Sequence, residues 1–71
     1  MNRTAVTSSS LASIGYRPEE KTLEVEFKHR AVYQYLDVPA AVFESFMAVE
    51  SKGTFFNAEI KDCYSFRHAR R

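Results

Sequence analysis

The tightest constraint on this chain is the alternation in Thr22-Leu23-Glu24-Val25-Glu26-Phe27. Leu23, Val25 and Phe27 face one way and Glu24 and Glu26 the other. A period of two is the signature of a half-buried β-strand. The segments on either side read as its partners. Leu11 to Tyr16 is a strand, and Arg17-Pro18-Glu19-Glu20-Lys21 a turn in which Pro18 pre-sets φ for the first corner. Lys28-His29-Arg30 reverses the chain, and Ala31 to Val38, rich in β-branched and aromatic residues, is the next strand.

A register follows from which side chains it would bury. With His29-Arg30 as a two-residue turn, Phe27 faces Val32 and Leu23 faces Leu36 on the core side, with Gln34 opposite Val25. Glu26 then faces Tyr33, and Glu24 faces Tyr35, on the other side. A three-residue loop instead puts Leu23, Val25 and Phe27 on the side of Tyr33 and Tyr35. A one-residue slip exchanges the two faces of a strand, and the two-residue turn buries less charge, so it is the expected register.

Pro39 opens a helix, where its missing N–H costs nothing. Val42, Phe43, Phe46 and Met47 form one apolar stripe, with Glu44 and Ser45 outside it. Ser51-Lys52-Gly53 ends that helix, Gly53 being a natural left-handed cap. Phe56, Ile60 and Tyr64 recur every fourth residue and suggest a second short helical segment; Cys63 to His68 closes as an edge strand. The expected fold class is α+β: a small curved antiparallel sheet of four to five short strands with a helix inserted before the last. Small Sm-like barrels have this layout, and a flatter sheet with helices on one face fits the same order.

A length of 71 residues allows one domain, spanning the chain. Residues 1–5 read as a flexible arm, unless Ala5-Val6-Thr7 forms an edge strand, and residues 69–71 as a frayed basic tail. A hydrophobic fraction of 45% and a charged fraction of 27% are those of a folded protein. A core of this size rarely supplies more than about 3–5 kcal/mol, so small domains lean on a disulfide, a metal or a partner. Cys63 is the sole cysteine, which excludes an intrachain disulfide, and two distant histidines make a poor zinc set. A homodimer is therefore expected, with no metal and no cofactor. The net charge of +1 gives no global basic field. Short apolar runs imply no membrane span. A lone thiol and no secretory signal point to the reducing cytoplasm.

Several short strings then converge on one family. They are Ser8-Ser9, Ile14-Gly15-Tyr16, Leu23-x-Val25-x-Phe27, Tyr33-Gln34-Tyr35 with Val38-Pro39, Ser51-Lys52-Gly53, Phe56-Asn57, Ile60-Lys61 and Tyr64. From Val6 through Arg67 the chain resembles the KTSC domain, which is named after the C-terminus of some lysyl-tRNA synthetases and also occurs as a short stand-alone bacterial protein. Two positions depart from the family's pattern. Arg30 stands where a hairpin Gly is usual, and Phe55 where a Tyr is usual, so a role needing that hydroxyl is absent. The resemblance implies RNA binding, by association with the synthetase.

The residues themselves offer little catalysis. Ser8, Ser9 and Ser10 have no base near them in sequence and read as flexible or capping serines. Cys63 reads as a small buried thiol, and Glu24 and Glu26 as a solvated face. Tyr33 and Tyr35 share a strand face, as base-stacking rings do, although the expected register sets Glu24 and Glu26 beside them; packing under the helices or into a partner subunit is the alternative. Lys28, Arg30, Lys52, Lys61, Arg67, Arg70 and Arg71 would contact phosphates if the fold gathers them, and are otherwise scattered solvated charge. Asn57 reads first as a buried or capping amide and second as a ligand contact. The expected function is a non-catalytic module binding RNA weakly and with little sequence preference. The alternative is a self-associating interaction domain with no nucleic-acid role. No small-molecule substrate is identified.

Overall fold

The computed structural model describes residues 3–69. Its five strands, β1 (Thr4–Ala5), β2 (Leu11–Arg17), β3 (Thr22–Phe27), β4 (Val32–Tyr35) and β5 (Phe66–Ala69), form one antiparallel sheet in sequential order. Between β4 and β5 lie α1 (Ala40–Ala48) and α2 (Lys52–Phe55), the latter running into a π-helical turn (Phe56–Ile60). This is the expected α+β order. The outer strands are β1 and β5, so the sheet is an open meander, the flatter of the two layouts. Part of the arm is an edge strand, at Thr4–Ala5 rather than one residue later, and Ala69 of the tail belongs to β5. Met1, Asn2, Arg70 and Arg71 lie outside the described residues.

One face of the sheet carries the core. Leu11, Ile14, Leu23, Val25 and Tyr35 meet Val38, Phe46, Phe56 and Ile60 from the segments that cross it. The stripe on α1 divides unequally: Phe46 is fully buried, while Val42, Phe43 and Met47 pack at its margin. Tyr16 stacks on Phe43 at 4.9 Å and donates from its hydroxyl to the Val38 carbonyl at 2.5 Å. The spacing of Phe56, Ile60 and Tyr64 does mark a helical segment, with Phe56 and Ile60 turned into the core.

The β3–β4 register is the one the sequence argument set aside. Leu23 faces Tyr35, Val25 faces Tyr33, Glu24 faces Gln34 and Glu26 faces Val32. Lys28-His29-Arg30 is a three-residue loop, closed by the Phe27 amide on the Ala31 carbonyl and the Arg30 amide on the Phe27 carbonyl, both 2.9 Å. Such loops need a left-handed residue at their end. Arg30, at φ 76°, supplies it without being glycine. Leu36 thus lies beyond the strand, half-buried, its amide bonded to the Ser65 carbonyl. The tyrosines go to the apolar face, and the glutamates go to the opposite one.

Burying carboxylates on that second face is made affordable by partners the hairpin does not contain. Arg3 reaches over from beside β1: its Nη1 lies 3.0 Å from Glu24 Oε1 and its Nε donates to Ser13 Oγ at 2.9 Å. Ser13 Oγ donates to Glu26 Oε1 at 2.9 Å, and Gln34 Nε2 to Glu24 Oε2 at 3.2 Å. Arg67 Nε completes the row on Gln34 Oε1 at 2.8 Å. Glu24 is only 7% exposed. A buried charge is tolerated when paired and hydrogen-bonded in this way.

Three further expectations are corrected. Gly53 has no positive φ and sits inside α2; among the described residues the left-handed ones are Lys21, Arg30 and Asp37. α1 ends at Ala48, and Ser51 is the residue that precedes α2. Cys63 is exposed rather than buried, because the chain turns outward after Ile60 and β5 begins only at Phe66.

Candidate functional site

Where β5 meets the π turn, the apolar face is not fully roofed. Phe27 and Leu11 at one side, Tyr33 and Tyr35 on the floor, and Phe56 and Phe66 on the walls enclose a cleft of about 430 Å³. That volume lies within the roughly 300–1,000 Å³ of small-molecule sites. Its rings interlock edge-on: Tyr35 with Phe56 at 5.5 Å, Phe27 with Phe56 at 5.4 Å and Phe27 with Tyr33 at 5.6 Å. Phe66 leans over Tyr33 and Tyr35 at 5.5 and 5.4 Å, and is itself 55% exposed. Ser10, Asn57, Lys61 and Asp62 supply polar groups at the rim.

The π turn builds that rim. The Lys61 amide bonds to the Phe56 carbonyl at 2.9 Å, five residues back. This wider turn sends Phe56 inward and leaves Asn57 and Lys61 at the opening. π-helical turns of this kind are frequent at functional sites. The floor is strongly desolvated. Burial, followed by the nearby Tyr33 and Asp62, pushes the Tyr35 hydroxyl up to about 12.

A second, polar cleft of about 590 Å³ adjoins the first and shares Ser10, Gly53 and Asn57 with it. It is lined by Ser8, Ser9, Ser51, Lys52 and Thr54 as well. Ser8 Oγ accepts from the Ser10 and Leu11 amides at 3.2 Å, the capping role expected of these serines. Ser51 Oγ donates to Thr54 Oγ1 at 2.8 Å.

The residues expected to bind RNA therefore divide. Tyr33, Tyr35, Asn57 and Lys61 come together in the aromatic cleft. Lys28 and Arg30 are exposed on the adjoining hairpin tip, whose Lys28 amide is bonded to the Ser10 carbonyl. Lys52 is engaged elsewhere, its Nζ donating to the Val49 and Met47 carbonyls at 2.7 and 3.2 Å. Arg67 points to the opposite face, on Gln34. Asn57 is exposed, not a buried amide, because the π turn directs it to the opening. Tyr35 is 3% exposed, so its ring is floor and not a free platform. Glu24 and Glu26 no longer flank the tyrosines, since the observed register sends them through the sheet. Sequence reasoning missed Ser10, Phe66 and Asp62 as members of the site; none belongs to a periodic pattern, and they are brought in by the bond from the Lys28 amide to the Ser10 carbonyl, the β4–β5 pairing and the π turn.

An open antiparallel meander roofed by two short helices, with an aromatic cleft at its edge, defines a small α+β domain. Its family is shown by three comparisons. The family model for the KTSC domain matches residues 7–64. The fold superposes on the crystal structure of a KTSC domain protein from Yersinia pestis with a TM-score of 0.95 at 40% identity, covering 97% of both chains. An uncharacterized protein of Stutzerimonas stutzeri is 46% identical over 61 residues, 86% of each chain. The chain belongs to the KTSC domain family. A lysine–tRNA ligase of Nostoc punctiforme also matches, at 36% identity over 58 residues, which make up 10% of that enzyme. Among the described residues no helix is long and apolar enough to cross a membrane.

Proposed function

We propose that this domain is a non-catalytic module that binds single-stranded RNA weakly, one base entering the aromatic cleft while cations at its mouth hold phosphates. The observation that carries this reading is the cleft itself: exposed Phe66 and half-buried Tyr33 offer π-faces, with Lys61 on the rim and Lys28 and Arg30 on the adjoining hairpin. Stacking of a base on such a ring is worth about 1–3 kcal/mol. Glu24 and Glu26 lie behind the sheet, so they do not repel the backbone at this opening. The similarity of the chain to a segment of a lysine–tRNA ligase supports the same direction.

The test is a fluorescence titration of labelled single-stranded RNA and of tRNA at several salt concentrations. Binding should fall as salt rises, because phosphate neutralisation releases counterions. Arg30→Glu and Lys61→Glu should weaken it and flatten the salt dependence. No titratable binding at low salt removes the RNA reading.

A homodimer is the second reading, favoured by Phe66 standing exposed on the outermost strand. Unpaired strand edges invite pairing with another chain. Sedimentation equilibrium giving a mass near 8.2 kDa at high concentration removes it.

A further inference from the structure

The aromatic cleft has one group that phosphate binding does not explain. Asp62 lines it, in the electrostatic field of the Tyr35 hydroxyl, and among the described residues no ion pair or hydrogen bond engages its carboxylate. A carboxylate beside Lys61 weakens the rim's attraction for a phosphate. The same carboxylate is a strong acceptor for a neutral ring edge that brings hydrogen-bond donors.

The four bases differ sharply at such an edge. A carboxylate only accepts, and has two oxygens side by side. Guanine presents two adjacent donors, N1–H and the N2 amine, and so can satisfy both. Adenine and cytosine each present one amine next to a ring nitrogen lone pair. Uracil presents one N–H between two carbonyls. In those three, an acceptor on the ring faces a carboxylate oxygen, which is repulsive. Guanine O6, next to N1–H, is an acceptor that the ammonium of Lys61 at the same rim can meet.

We propose that the aromatic cleft is a guanine site, in which the ring stacks against Phe66 and Tyr33 and the Asp62 carboxylate accepts from N1–H and N2–H. This rests on the cleft receiving a base, and adds which base it prefers. Elsewhere on the strand, contact is to the backbone and indifferent to sequence. The ligand chemistry is the guanine ring, and it can arrive on a free nucleotide or within RNA.

The full chain is titrated with GMP, AMP, CMP and UMP, and in parallel with short single-stranded RNAs that differ only in one central base. GMP and the guanine-containing RNA are expected to bind about tenfold or more tightly than the others, the size of one bidentate base contact. Asp62→Asn, at an exposed position and verified as folded by circular dichroism, should abolish that preference; Asp62→Glu should retain part of it. Equal affinity for all four bases, or a preference that survives Asp62→Asn, overturns the proposal. If the RNAs bind without preference, the guanine site falls and RNA binding stands. If GMP binds and no RNA does, the guanine site stands and RNA binding falls. If nothing binds, both fall.

Discussion

The two faces of this sheet are stabilised by different physics. On the face under the helices, Leu23, Val25 and Tyr35 are excluded from water by Phe46, Phe56 and Ile60, and any apolar groups of the right volume would serve. On the reverse face, Glu24 and Glu26 depend on named donors at fixed distances: Arg3, Ser13 and Gln34. Apolar burial is non-directional and scales with area. A buried carboxylate is stable only with its partners present. The first face can therefore end at β5 in a cleft with rings to spare, since a partly covered ring loses little. The second has no such margin.

Deletions on the two faces should differ in kind as well as size. Phe46→Ala empties the centre of the apolar layer, and a change of this type costs about 3–5 kcal/mol. That is comparable to the whole stability of so small a domain, so thermal denaturation should show no cooperative transition. A variant that still melts sharply near the wild-type temperature would mean that the helices roof the sheet without holding it.

On the reverse face, Arg3→Ala strips Glu24 of its cation while leaving Gln34 in place, and should destabilise by about 1–3 kcal/mol. Urea denaturation measures it directly. The loss should shrink in Arg3→Ala/Glu24→Gln, because the charge left stranded is then gone. If single and double variants are equally unstable, the network is not what keeps Glu24 buried.

The tyrosine floor of the cleft should show itself in alkaline solution. Tyr35 titrates near 12 in the folded chain against about 10 when unfolded. Between these values the unfolded state has lost a proton that the native state keeps, so stability falls as pH rises through that window and is indifferent to this group below it. Tyr35→Phe should flatten the fall. An unchanged pH profile would place the hydroxyl in water.

Arg30→Gly tests the loop that assigns each residue to its face. A left-handed backbone costs a non-glycine residue about 1–2 kcal/mol. Part of that gain is offset by the extra entropy of glycine in the unfolded chain. The variant should be modestly more stable, with Val25 still opposite Tyr33 by cross-strand NMR contacts. A destabilised variant would argue for the two-residue turn. The smallest effect belongs to Cys63→Ala: the residue is exposed and on neither face, so stability should stay within about 0.5 kcal/mol, as for most surface changes. Loss of folding in reducing buffer would contradict this.

Of the site, Tyr33, Tyr35, Asn57 and Lys61 were legible, as residue types suited to a base or a phosphate. Phe66 and Asp62 were not, because neither sits in a pattern. Lys52 and Arg67 were legible only as cations; that one caps the end of α1 and the other bonds Gln34 depends on backbone carbonyls and a strand pairing that no local window contains.

What the sequence by itself determined is which residues go together. The alternation from Thr22 to Phe27 makes Leu23, Val25 and Phe27 one set and the glutamates another in any register, and the spacing of Phe56 and Ile60 marks a helical segment whatever covers it. Which set faces the helices along with Tyr33 and Tyr35 was decided only by the tertiary structure. The hairpin alone favours keeping the glutamates out of the interior, and argues for the two-residue turn. Arg3 and Ser13 reverse that preference from outside the hairpin, by giving the glutamates donors on the reverse face. Tyr33 and Tyr35 can then enter the core. A strand's periodicity is local, but the cost of burying a charge is set by whatever the rest of the chain brings to it.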